Sequence, residues 1–404
     1  MKTFKRSLVA LAIAGAMTAG AAQAQISDGV VKIGILSDMS SLYTDLAGAG
    51  SVLAARMAVE DSGIEKRGVK IEYVSADHQN KPDVGSGIAR QWYDVDKVDV
   101  IVDVPNSGVA LAVNQITRDK NKVFLASGPA SSDLTGKACS PNTVHWTYDT
   151  WMLANGTGGA IVKTGGDSWF FLTADYAFGH ALERDTEAVV LKNGGKVVGK
   201  VRHPLNNQDF SSFLLQAQSS KAKIIGLANA GGDTTNSIKQ AAEFGIVKGG
   251  QNLAGLLVFL TDVHALGLQT AQGLIVTNTF YWDMNDQTRA FAKRFAAGNK
   301  GIHPTMVHAG VYASVRHYLK SVEALKSDDG AKVVEHMKSQ PTDDPLFGKG
   351  TIRVDGRKIH PAYLAEVKKP SESKGAWDYY KIRTTIPAEQ AFRPLAEGGC
   401  PLVK

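Results

Sequence analysis

Apolar residues near the start of the chain fall on both phases of an alternating pattern. In VVKIGILS, Val31, Ile33 and Ile35 alternate with Lys32, Gly34 and Leu36, which predicts a strand buried on both faces. A polar loop, Ser37–Tyr43, follows, and then Val52, Ala55 and Val59 recur at helical spacing. Strand, loop and helix open a parallel α/β unit. In open parallel sheets ligands sit beyond the carboxyl ends of the strands. Ser40, Ser41 and Tyr43 then stand at the mouth of a site, with an ordinary solvated loop as the plain alternative.

The alternation continues. Val69–Ala76, Val98–Val104 and Lys122–Ala126 read as strands, and Val84–Val95 and Ala110–Asp119 as helices. Three strands end in loops rich in serine, glycine and asparagine, at 37–43, 105–108 and 127–132. Such loops offer hydroxyls and backbone N–H groups at helix starts, which suits a carboxylate. Helix capping alone draws on the same residue types.

Near Cys139–Asp149 the pattern breaks, which places a crossing between lobes there. A second series begins with a strand at Trp169–Thr173, followed by Asp175-Tyr176-Ala177-Phe178-Gly179 and a helix through Leu191. Lys196–Val201 and Lys223–Ala228 are strands, the latter ending in Asn229–Thr235. Leu274–Thr277 runs into Phe280-Tyr281-Trp282, a triplet that lines a cleft or packs as a hinge. Ala290–Ala296 and Val307–Leu325 are helical. Thr351–Val354 leads into Asp355-Gly356, a hairpin signal, with Ala362–Val367 as the expected partner strand.

The length of 404 residues exceeds what one core accommodates, so two lobes are expected. Met1–Ala24 has the form of a secretory signal peptide: Lys2, Lys5 and Arg6, then apolar Leu8–Ala19, then Ala22-Gln23-Ala24. Removing those three cations from 45 leaves 42 basic against 39 acidic residues, with no dense basic run. Nucleic acid is therefore a poor partner. The chain is expected in the periplasm. Its two cysteines, Cys139 and Cys400, are expected to pair after export, the alternative being two free thiols.

Catalytic parts are missing. There is no GxSxG elbow, no phosphate loop, no CxxC and no helical pair of histidine ligands; His303 and His308 have the wrong spacing. Gly48-Ala49-Gly50 begins a dinucleotide fingerprint that fails at Leu53. No enzyme activity, metal or cofactor is expected.

These residues carry a resemblance. VKIGILSDMSSLY with its following helix, Asn106-Ser107-Gly108, Ala130-Ser131-Ser132-Asp133-Leu134-Thr135 and Asp175-Tyr176-Ala177-Phe178-Gly179 occur in that order behind a leader. In this the chain resembles the periplasmic solute-binding proteins of ABC transporters, in the branched-chain amino-acid-binding branch. The resemblance implies a type I fold: α/β, two Rossmann-like lobes joined by a three-stranded hinge and closing on a ligand. The first lobe is expected over 25–146 and 279–355, and the second over 147–278 and 356–404.

The resemblance also implies a site. Ser107 with Ala130, Ser131 and Ser132 would hold a ligand carboxylate beside Asn106, and Ser40, Leu42 and Tyr43 would add contacts. Phe178 would pack on the ligand from the second lobe, where Tyr148, Asp149 and Asp233 also face the cleft. Amino-acid binders of this branch place an acid near Leu257–Thr261, to pair with the ligand ammonium. Here the stretch is LVFLT, with Asp262 the nearest acid and Asp233 a substitute. The chain looks closest to the aromatic-acid subgroup, over Ala174–Glu183 and Phe392–Lys404. The implied ligand is a benzoate or phenylpropenoate, and a branched-chain or other amino acid is the alternative. The implied partner is an ABC permease, and the chain is expected to be a monomer. A sensory receptor and an exported α/β enzyme are the readings from other classes.

Overall fold

A computed structural model describes residues 26–404. The expected signal peptide, 1–24, lies outside the described residues. The first half runs β1 Val30–Ser37, α1 Gly48–Ser62, β2 Lys70–Asp77, α2 Pro82–Asp94, β3 Val100–Asp103, α3 Ser107–Asp119, β4 Val123–Ala126 and β5 Thr143–His145. These strands form one parallel sheet in the order β2-β1-β3-β4-β5. β1 is interior, between β2 and β3, with Ile33 opposite Val100 and Ile35 opposite Val102. Its last five residues are buried, as two-faced apolar patterning demands.

After β5 the chain crosses to a second body through Trp146–Asp149. This body holds α4 Thr150–Leu153, α5 Gly159–Lys163, β6 Ser168–Ala174, α6 Ala177–Lys192, β7 Lys196–His203, α7 Ser211–Ser219, β8 Ile224–Ala228, α8 Gly232–Glu243, β9 Asn252–Gly255, α9 Leu260–Leu266, α10 Leu268–Ala271 and β10 Ile275–Asn278. Its parallel sheet is ordered β7-β6-β8-β9. The carboxyl ends of β1, β3 and β4 lead into the loops where the two bodies meet, as the open-sheet rule requires.

The chain then returns. α11 Asp286–Gly298 and α12 Met306–Leu325 lie with α1. Thr305 Oγ1 donates to the Leu46 carbonyl at 2.8 Å, and His308 Nε2 lies 2.9 Å from the Ala47 carbonyl. His308 is thus a satisfied core histidine. α13 Gly330–Ser339 and a small antiparallel sheet, β11 Thr342–Asp344, β12 Gly348–Ile352 and β13 Lys358–Ile359, follow. β14 Ala362–Val367 and β15 Tyr380–Ile386 then join β10 in an antiparallel sheet, and α14 Ala388–Ala391 precedes the tail. The chain therefore passes between the two bodies at 146–149, 279–282 and 359–361, and the tail after β15 returns to Cys139.

One pairing differs from expectation. The hairpin turn does fall at Asp355-Gly356, but β12 pairs with Lys358–Ile359, not with Ala362–Val367. Pro361 has no N–H to continue that ladder, and beyond it β14 pairs with β10 and β15 instead. The triplet Phe280-Tyr281-Trp282 packs against Phe291, Tyr380 and Trp377, so it belongs to a crossing and not to the cleft wall. Cys139 and Cys400 form the expected disulfide. Arg393 Nη2 reinforces it by donating to the Ser132 carbonyl at 3.1 Å, so the tail lies against the start of the first crossing. No helix among the described residues is long and apolar enough to cross a membrane.

Candidate functional site

Between the lobes lies a small cavity lined by Tyr43, Leu46, Pro105, Gly128, Ala130 and Tyr148, and, from the second body, by Tyr176, Phe178, Ala230, Leu257 and Phe259. It is tightly closed: about 10 Å³ is open to the centre of a water-sized sphere, room for about one water. Five of the lining side chains are aromatic, and none is ionised at neutral pH. Burial lifts the phenols of Tyr43, Tyr148 and Tyr176 well above their ordinary range, so all three stay neutral.

The first-lobe wall is shaped by backbone. β3 ends in two residues with left-handed φ, Asp103 at 81° and Val104 at 61°, just before Pro105. Gly128 packs on this bend: a Cβ there would lie 2.5 Å from Asp103 Oδ1 and 2.7 Å from Pro105 Cα. Only glycine lets the two loops approach so closely. Ser107 opens α3 and is buried. Its Oγ accepts from the N–H of Ala130 at 3.3 Å and of Ser131 at 3.1 Å. Among the described residues the Ser107 hydroxyl hydrogen has no acceptor; the side chain is buried behind Ala130 at the N-terminus of α3.

The second-lobe wall is apolar. Phe178 lies in the first turn of α6, with its ring centroid 5.9 Å from that of Tyr176. Phe259 meets Tyr148 edge to face at 6.0 Å, and Tyr148 donates its hydroxyl to the Gly128 carbonyl at 2.6 Å. Tyr43 and Tyr176 join hydroxyl to hydroxyl across the gap between the lobes.

Of the residues singled out in the sequence, Tyr43, Ala130, Tyr148 and Phe178 line this cavity, and Ser107 backs Ala130. The others stand elsewhere. Ser40 is exposed and bonds to Asp77. Leu42 lies outside the cavity wall, its carbonyl accepting from the Gly232 N–H at 3.4 Å. Asn106 caps α3, accepting from the N–H of Gly108 and Val109, and Ser131 caps the turn at Asp133. Ser132 donates to Asp185 at 2.7 Å. Asp149 caps α4 and lies 3.6 Å from Arg357; burial raises its carboxyl, against the pull of that guanidinium.

Neither acid weighed as an ammonium partner reaches the cavity wall. Asp233 accepts from the N–H of Asn206 at 3.1 Å and Asn207 at 2.8 Å, and burial pushes its carboxyl up to about 7. Asp262 accepts from the Phe259 N–H at 2.8 Å and is pushed to about 7 by burial as well. Both are spent on backbone.

Sequence reasoning missed Leu46, Pro105, Gly128 and Ala230 as cavity wall, and it named Leu257 and Phe259 only within the loop 257–261. It also missed Asp38, whose carboxylate accepts from the N–H of Ser41 and Tyr43, the Ser41 hydroxyl and the Asn80 amide. The signal for Asp38 was present: an Asp two and three residues before Ser-Ser is an Asx-turn pattern. Among the described residues no cluster of three or more His, Cys, Asp or Glu is placed to hold a metal ion.

Comparison with known proteins places these features. A sequence profile described as periplasmic binding protein matches residues 30–376. The crystal structure of a periplasmic binding protein from Burkholderia mallei is 54% identical, with a TM-score of 0.91 over 93% of this chain and 100% of that one. A branched-chain amino acid ABC transporter periplasmic ligand-binding protein from Burkholderia xenovorans is 42% identical, with a TM-score of 0.82 over 93% and 100% of the two chains. A solute-binding protein of an ABC transporter from R. palustris, solved with benzoate, is 22% identical; its TM-score of 0.80 over 92% and 100% of the chains reflects shared fold alone.

Proposed function

Because the chain belongs to the periplasmic binding protein family, we propose that it is an exported receptor that closes its lobes on an aromatic carboxylate and delivers it to an ABC importer. One observation carries the ligand class: the interlobe cavity has five aromatic side chains and no carboxylate in its wall. An ammonium group shut in this cavity would lose its hydration without a charge partner, which is costly. A benzene ring meets Phe178, Tyr176 and Phe259 on ring surfaces it can stack against. Its carboxylate meets the Ser107 hydroxyl at the N-terminus of α3. The ring-lined wall favours an aromatic acid such as benzoate or a short phenylpropenoate. In this reading Tyr43, Ser107, Ala130, Tyr148 and Phe178 touch the ligand. Asn106, Ser131 and Asp233 hold the loops that present them. Binding is the whole activity, and the chain acts as a monomer at a membrane permease.

The similarity to the B. xenovorans protein favours a second reading, a branched-chain amino acid as ligand. Calorimetry on the purified mature protein separates the two, with benzoate, 4-hydroxybenzoate, cinnamate, leucine and valine as titrants. Thermal shift provides the first screen, since saturation at 100 times Kd adds about 2.7 kcal/mol of stability. Micromolar binding of benzoate or cinnamate with no heat from leucine or valine supports the aromatic reading. The reverse result overturns it.

A further inference from the structure

Where the lobes meet beside the cavity, backbone faces backbone. Leu42 and Tyr43 come from the loop after β1. Gly231 and Gly232 start α8 in the other lobe. The Gly232 N–H donates to the Leu42 carbonyl at 3.4 Å. Gly231 has φ 57°, and a Cβ built on it would lie 2.5 Å from that carbonyl oxygen and 3.1 Å from Tyr43 Cδ1. The oxygen belongs to the main chain, so no rotamer change relieves the collision. Nor is the loop free to withdraw. Asp38 pins the Tyr43 N–H at 2.9 Å, the Ser41 N–H at 2.9 Å and the Asn80 amide at 2.6 Å. Beside this contact the Tyr43 and Tyr176 hydroxyls bond to each other, and neither has another partner among the described residues.

We infer that Leu42–Tyr43, Gly231–Gly232 and Tyr176 form a closure seam whose bonds exist only when the lobes are shut. Gly231 is then a positioning residue: it sets affinity by admitting closure, without lining the cavity. The inference rests on the proposed receptor function. A ligand that closes the lobes gains the seam bonds together with its own contacts, so the seam multiplies the affinity of every ligand by one common factor. This differs from the rings of Tyr43 and Tyr176, which line the cavity and whose factor changes with ligand structure; phenylalanine keeps those rings and removes only the bond between the hydroxyls.

The test uses Tyr43→Phe, Tyr176→Phe, the double variant and Gly231→Ala in the full mature chain, with benzoate, 4-hydroxybenzoate and cinnamate as probes. Each hydroxyl removal is expected to raise Kd about threefold to tenfold for all three probes, mainly through faster dissociation. The double variant is expected to match the singles, because one bond is lost in each case. Gly231→Ala is expected to raise Kd further and to leave the ligand-saturated protein with a larger radius of gyration by small-angle scattering. The tyrosine variants keep the ring and the fold, so they decide the matter should Gly231→Ala not fold. A factor that differs more than threefold between probes, or parent-like binding by both single hydroxyl variants, overturns the seam. If the parent binds leucine and none of the aromatic acids, the proposed ligand fails and the same ratios are read with leucine and valine. If it binds nothing in the panel, the receptor reading fails. The seam, which rests on that reading, then falls with it.

Discussion

Replacing Ser107 by alanine tests the carboxylate end of the cavity in two independent measurements. The hydroxyl oxygen accepts two backbone N–H groups, from Ala130 and Ser131, in a buried setting. Alanine leaves both donors without a partner. A buried orphan donor costs about 1–3 kcal/mol, and water entering the adjacent cavity holds each near the low end, so the free protein loses about 2 kcal/mol. With a lobe of roughly 200 residues as the melting unit, that is a fall of about 4–8 °C in Tm. In the complex the variant also loses the bond from the hydroxyl hydrogen to the carboxylate, about 1.5–3 kcal/mol for a charge-assisted bond. The two freed N–H groups recover part of this by turning to the ligand, so the expected loss of benzoate affinity is about tenfold. Calorimetric melts of the free protein and titrations at a temperature well below both Tm values separate the two effects. A lower Tm with parent-like affinity would mean that Ser107 serves only the loop backbone, and the anion site would have to be sought elsewhere.

Phe178→Ala should weaken binding of benzoate and cinnamate by about 1–3 kcal/mol through lost stacking and burial, and equal affinities by calorimetry would refute its place beside the ring. Cys400→Ser should destabilise the protein by about 3–5 kcal/mol in urea melts, since the bond closes a loop with a sequence separation of 261. Two alkylatable thiols in the unreduced parent would remove the basis for that expectation. Asp103 is pushed up to about 7 by burial, against the Ser37 hydroxyl bond. The unfolded chain releases this proton near pH 4, so between about pH 4 and 7 the folded state holds a proton the unfolded state has lost. Stability therefore falls as pH rises through that window. Asp103→Asn cannot ionise and tolerates the left-handed φ, so it should flatten the decline measured by denaturant melts at pH 5 and 8. An unchanged slope would show that other groups carry it.

The succession of strands and helices and the positions of the loops follow from patterns local enough to read along the chain. Two-faced apolar runs such as 31–36 and 100–104 mark central parallel strands, and serine-rich loops mark their carboxyl ends. The cavity wall was legible only in part, because its two halves meet across separations running from tens of residues to more than two hundred. Tyr176 and Phe178 stand out as aromatics beside a predicted strand end. Leu257 and Phe259 look like any buried run, and Gly128 reveals its role only when Asp103 and Pro105 are seen packed against it. Caps and ligand contacts also share residue types. Asn106 and Ser131 turned out to hold helix starts, while Ser107, of the same composition, keeps a free hydrogen. The partner of β12 was misplaced because both candidate strands follow the same turn, and only the crossing at Pro361 separates them.

The bond between Cys139 and Cys400 also fixes how this molecule bears a load. Pulled by Ile26 and Lys404, the oxidised chain carries tension along 26–139, across the sulfur–sulfur bond, and along 400–404. The segment 140–399, with the whole second sheet, lies outside the line of force. Full extension of the loaded segments releases roughly 400 Å, against roughly 1,300 Å once the bond is reduced, at about 3.4 Å per residue. A force spectrometer would see the first sheet yield while the second lobe stays folded and slack, a shielding that one reductant-sensitive bond switches off.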